Sequence, residues 1–109
     1  MEVKQLETLF KDCPFPITWH HFRTEKDPPF VVWKENSSNH ITSDQRVVAC
    51  KDSYQVDLYY EKWEEKKAFE TFLFNLPIPW QRVISDVWIE KEKMFLSSYD
   101  LEDAYGYYD

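Results

Sequence analysis

The strongest constraint on the fold lies between Val48 and Tyr60. Val48, Cys50, Tyr54, Val56, Leu58 and Tyr60 share one parity, interrupted only by Asp52. Ala49, Lys51, Ser53, Gln55, Asp57 and Tyr59 take the other. Alternation with period two is the mark of a strand with one face buried. Thirteen residues at about 3.3 Å each would span roughly 43 Å, so a bend, bulge or turn is expected near Asp52 and Ser53.

The period changes on either side. From Glu61 to Phe74 the spacing is helical, with Ala68, Phe69, Phe72, Leu73 and Leu76 on one stripe and Trp63 at its edge. Glu61, Glu64 and Glu65 occupy the first turns, where the helix dipole favours acid, and the charge run reads as a solvated face. Pro77 and Pro79 stop this helix. Val3, Leu6 and Phe10 place a first helix over residues 2–11, ended by Pro14 and Pro16. Phe15–Trp19 reads as extended. Asp27-Pro28-Pro29 forces an extended break before a strand at Phe30–Lys34. Residues 35–45 read as a polar loop, long for so small a domain. Trp80–Ile84 is a strand, Ser85-Asp86 a turn, and Lys91–Tyr99 a last strand. The expected architecture is α+β: an antiparallel sheet of four to five strands with two helices packed on one face. Residues 1–101 form one domain, and residues 102–109 an acidic, flexible tail.

Composition excludes several functions. Glycine occurs once, at Gly106, so the glycine-rich loops that cradle phosphates have no place here. Asp100, Glu102, Asp103 and Asp109 carry four of the net seven negative charges, leaving a body too near balance to bind nucleic acid by counterion release. No apolar run approaches a membrane span, and the first residues lack the pattern of a secretory signal. Asn36-Ser37-Ser38 has the form of a glycosylation acceptor but reads as a polar loop.

No residue set reads as an active site. Cys13 and Cys50 match no metal or redox spacing and are expected as reduced thiols. His20 and His21, on an extended segment, should point to opposite sides and form no chelate, and His40 sits apart in the polar loop. The carboxylate pairs Glu64-Glu65, Glu90 with Glu92, and Glu102-Asp103 lie in charged surroundings that would leave their protonation untuned. The expectation is a non-enzyme without cofactor or metal. What remains is an excess of aromatics: five Trp, eight Phe and seven Tyr in 109 residues. So small a body cannot hide them all, and the remainder belong at an interface.

Pro14-Phe15-Pro16-Ile17-Thr18-Trp19-His20-His21-Phe22, followed by Pro28-Pro29-Phe30-Val31-Val32-Trp33, resembles a family of small phage and prophage proteins of Gram-positive bacteria. In that family a "P-V-x-Y-G-H-F" segment precedes "P-P-F/Y-I-V-Y". A polar Asn-containing loop, a strand ending like Val56-Asp57-Leu58-Tyr59-Tyr60 and an acidic helix follow. The closing pattern is similar to Ile89-Glu90-Lys91-Glu92-Lys93-Met94-Phe95. The resemblance covers about residues 3–100. The one visible departure is His20, where the family tends to have Gly.

The family looks like the tail-terminator, or tail-completion, proteins of the head–tail neck. The resemblance implies an α+β subunit that forms a ring, a hexamer in the usual case, caps the tail tube and joins it to the head connector. The implied partners are therefore further copies of the chain, the tail-tube protein and the head-completion protein, with no sequence-specific nucleic acid and no membrane. The implied place is the virion neck, after synthesis in the bacterial cytoplasm. A head-to-tail ring needs two different patches on each subunit. The polar loop, with Asn36, Asn39, His40 and Asp44, and one sheet edge are the expected patches. The alternative is a small acidic inhibitor or DNA-mimic protein of a phage or mobile element.

Overall fold

A computed structural model describes residues 7–43 and 46–106, with side chains over 7–36 and 52–102. Five strands form one sheet: β1 (Ile17–Trp19), β2 (Phe30–Ser43), β3 (Arg46–Tyr60), β4 (Trp80–Ile89) and β5 (Met94–Gly106), in the order β1-β2-β3-β5-β4. Three of the four pairings are antiparallel, and β1 runs parallel to β2. The expected α+β fold is therefore present with a mixed sheet. The parallel pair follows from residues 20–29, which carry the chain back before β2 begins, as any parallel neighbour requires.

The core lies on one face. Val31 and Trp33 of β2, Tyr54, Val56, Leu58 and Tyr60 of β3, and Tyr99 and Leu101 of β5 are buried there. They are the parity read from the sequence of β3, extended to its neighbours by register: Trp33 faces Val56, and Val56 faces Tyr99. Helix α1 (Trp63–Phe74) lays Phe69 and Leu73 on them. At its start the Glu65 carboxylate accepts the backbone N–H groups of Glu61 and Lys62 at 3.0 and 2.8 Å, satisfying donors that a helix N-terminus leaves open. The N-terminal helix is described from residue 7 and ends in a 3-10 turn at Phe10–Asp12. Phe10 packs edge-on to Trp33 at 5.3 Å and against Phe72 at 6.5 Å, so both helices sit on the same face. Residues 2–6 of the expected first helix lie outside the described residues.

Several expectations are corrected. Residues 35–43 are not a loop but the outer part of β2, paired with β3 as far as Ser43 opposite Arg46. The backbone ladder simply continues from the buried half of the hairpin into a polar stretch that lacks the alternation of a half-buried strand. The molecule is accordingly elongated, 52 × 26 × 25 Å. β3 is unbroken; the irregularity expected at Ser53 falls in its partner, where Asn36 is the extra residue between Glu35 and Ser37. Ser85-Asp86 is not a turn between strands but a bulge inside β4, and the reversal comes at residues 90–93, where Lys93 has φ 56. Residues 102–106 are not frayed: β5 continues to Gly106 opposite Ala49, and Tyr107 and Tyr108 lie outside the described residues. In α1, Ala68 of the expected stripe is exposed, while Lys66 of the charge run expected in solvent is 5% exposed, and Glu70, one turn on, 9%.

Candidate assembly surface

Among the described residues no helix lies on the face of the sheet opposite α1; its side chains are mostly half-buried, and exposure concentrates at β4. Register places Phe30 of β2 beside Tyr59 of β3, Tyr59 beside Leu96 of β5, and Leu96 beside Val87 of β4. These four make one apolar row across four strands. The next row is Val32, Asp57, Ser98 and Ile84; the one beyond is Lys34, Gln55, Asp100 and Gln81. The face thus grades from apolar to polar along the strands.

Each row has a local cause. Phe30 stacks on Tyr59 with ring centroids 4.8 Å apart, and Phe22 meets Phe30 edge-on at 5.7 Å. Burial, with the Asp57 charge nearby, raises the Tyr59 phenol above its ordinary pKa. In the middle row Asp57 accepts hydrogen bonds from Ser98 Oγ at 2.6 Å and Gln55 Nε2 at 3.0 Å. That carboxylate is satisfied within the sheet and is not a free acid.

The exposed part of the apolar row is its β4 end. Val87 and Ile84 are 46% and 43% exposed, and Val83 and Trp88 flank them. β4 is an edge strand, and its two register shifts, at Arg82/Ile84 and Ile84/Val87, twist it away from a straight pairing edge. Sequence reading missed this patch, which spans the expected Ser85-Asp86 turn.

A polar network from the helix side holds the bulge in shape. Asp86 has φ 54, a left-handed conformation that costs a non-glycine residue energy. Its backbone N–H donates to Ser97 Oγ at 3.0 Å, and the Tyr60 hydroxyl donates to Asp86 Oδ1. Tyr60 has then used its proton, so Ser97 donates to the Tyr60 oxygen at 3.0 Å. The buried Lys66 ammonium reaches Asp86 Oδ2 at 2.9 Å and Ser85 Oγ at 3.1 Å. These donors, the Tyr60 hydroxyl first and Lys66 second, hold Asp86 down at about 2. Burial, then the Asp86 contact, pushes Tyr60 up to about 12. One turn further along α1, Glu70 Oε2 accepts from Tyr99 Oη at 2.9 Å and Arg82 Nη1 at 2.7 Å. Burial and then Glu70 drive the Tyr99 phenol far up. No buried side-chain polar atom among the described residues lacks a partner. The network binds α1 to β4.

Of the contact residues expected from the sequence, Asn36, Asn39 and His40 fall on β2. Asn36 is exposed at the β2 bulge. Asn39 and His40 lie in the outer part of β2, at register positions opposite Lys51 and Cys50. Asp44 lies outside the described residues. Among the tryptophans, Trp33 is buried and Trp80 half-buried, while Trp19, Trp63 and Trp88 are exposed. Cys13 is a free thiol, raised by burial, and Cys50 falls among the residues whose side chains are not described. The histidine pair differs from expectation. His20 takes φ 70, and the two Nδ1 atoms of His20 and His21 approach to 3.1 Å instead of diverging.

No helix among the described residues is long and apolar enough to cross a membrane. No protein-family model matches the chain, and no curated protein matches it in sequence.

Proposed function

We propose that the chain is a structural assembly protein of the phage head–tail neck, a tail terminator whose copies close into a ring, a hexamer by the resemblance. The ring caps the tail tube and meets the head-completion protein, and its place is the virion. The observation that carries the assembly reading is the apolar row Phe30–Tyr59–Leu96–Val87 on the helix-free face. Its β4 end, with Ile84 beside it, leaves large apolar side chains in water. Exposed apolar surface of this kind marks contact with another protein.

The identity of the assembly rests on the resemblance over residues 3–100. One local feature supports it. The family tends to have Gly where His20 stands, and His20 has φ 70, a conformation that glycine adopts without cost. Two different patches suit a head-to-tail arrangement. β1 covers β2 only from Val31 to Trp33, so the outer part of β2 offers an open edge, while the bulged β4 offers the exposed side chains of Ile84 and Val87 instead of a pairing edge. They lie at different places on the subunit, as a ring contact demands. The proposed role uses no catalytic group.

Growth of tail tubes in the presence of the protein tests this reading. A terminator bound at tube ends arrests elongation at substoichiometric amounts. Tubes that lengthen unchanged at equimolar protein overturn it.

A further inference from the structure

Trp19, His20 and His21 close a three-residue turn. The His21 N–H donates to Trp19 O at 2.8 Å across His20, whose φ is 70. This is the γ-turn with positive φ, a rare and strained conformation for a residue with a Cβ. The turn is fixed from both sides, because the His20 N–H donates to Trp33 O at 2.7 Å. It follows β1 directly and stands on the sheet.

The strain has a geometric result. Adjacent side chains on an extended strand point apart; here the turn brings both imidazoles to one side. Their ring planes lie 80° apart and their Nδ1 atoms 3.1 Å apart. Two nitrogens bound to one divalent ion at about 2.05 Å are separated by about 3.35 Å at the tetrahedral angle and about 2.9 Å at a right angle. The observed spacing falls between these limits. Both rings line an open cleft of about 530 Å3 whose wall also carries Glu92, from the β4–β5 turn.

We propose that His20 and His21 form a two-nitrogen chelate for a divalent transition cation of the zinc, nickel and copper class, for which neutral imidazole is a suitable ligand. Without the ion one Nδ1–H donates to the other Nδ1. On binding, both Nδ1 lone pairs go to the metal, and that ring carries its proton on Nε2 instead, so no net proton is released from neutral rings. No third His, Cys, Asp or Glu joins the pair into a larger ligand group among the described residues. The ion therefore keeps water in its other positions, and the site is labile and not structural.

Calorimetric titration of the full chain with zinc chloride in a non-chelating buffer tests the site. One equivalent should bind saturably, with imidazole nitrogens as its protein ligands. His20→Gly keeps the turn, because glycine accepts φ 70, and removes one ligand; His21→Gln removes the other. Each should weaken binding at least about tenfold, about 1.4 kcal/mol, with circular dichroism unchanged. His40→Ala should leave binding as it was. Absence of saturable binding, or binding equally tight in His20→Gly, overturns the proposal. So does loss of binding in His40→Ala alone, which would place the ion elsewhere.

Discussion

The Lys66 ammonium of α1 lies 2.9 Å from the Asp86 carboxylate in the bulge of β4, and the two ends of this contact sit in different environments. The lysine side chain is 6% exposed, that of Asp86 48%. The lysine is buried against its partner, whereas the aspartate keeps partial access to water. The pair therefore ties an edge strand to the helix that covers the core.

Removing the acid should cost more than an ordinary surface ion pair. Asp86→Ala leaves a buried ammonium without its counter-charge, a loss of several kcal/mol in a fully buried pair. With Asp86 half exposed, screening reduces this to about 2 kcal/mol. Urea unfolding of Asp86→Ala against the parent measures it. A change below about 0.5 kcal/mol would show that the pair contributes no more than an exposed one.

Acid should unfold the protein through the same residue. Asp86 ionises at about 2 in the folded chain, against 3.8 as the ordinary value. A depressed carboxylate contributes stability that is present above the unfolded pKa and is lost as pH falls through the folded one. The window is therefore pH 4 down to 2. Stability measured across that range should fall less steeply in Asp86→Asn than in the parent.

Two tyrosines should stay silent in an alkaline titration. Tyr60 is raised to about 12, and Tyr99 is raised further by burial and by Glu70. A raised phenol contributes stability that is complete below the unfolded pKa near 10 and is lost as pH rises through the folded value. Phenolate absorbance should therefore show Tyr60 ionising near pH 12, and Tyr99 later still, or both together with unfolding. Tyr60→Phe should remove one of these late phenols and leave the early ones unchanged.

The apolar end of the open face should matter to assembly and little to folding. Ile84→Lys combined with Val87→Lys changes two side chains that are nearly half exposed. Such surface changes usually shift stability by no more than about 0.5 kcal/mol each. Thermal unfolding should therefore be nearly that of the parent, while association is abolished. Intact association would remove this face from the assembly surface.

What was legible in the sequence follows from how each element earns its burial. The inner half of β3 alternates because one face meets the core, and Tyr54, Val56, Leu58 and Tyr60 are buried as read. Phe69 and Leu73 gave α1 its stripe for the same reason. The outer half of β2 gave no such signal, because its backbone pairs with β3 while Ser, Asn and Thr carry no alternation. The bulge at Ser85-Asp86 looked like a turn because the residue types that permit φ near 54 also end strands. Lys66 fell in a charge run read as solvent-facing, and Glu70 drew no reading, because a charge pattern does not show that the partners Asp86, Arg82 and Tyr99 will arrive from strands some 12 to 29 residues further on. The open-face row depends on register among four strands, which no single segment encodes.

Ring formation is the central claim, and light scattering on a size-exclusion column over a range of concentrations, with and without purified tail-tube protein, tests it most directly. A closed ring, either from the protein alone or from a monomer that assembles on tube ends, is the expected result. A monomer at every concentration that ignores the tube contradicts it and turns the reading to a small acidic inhibitor.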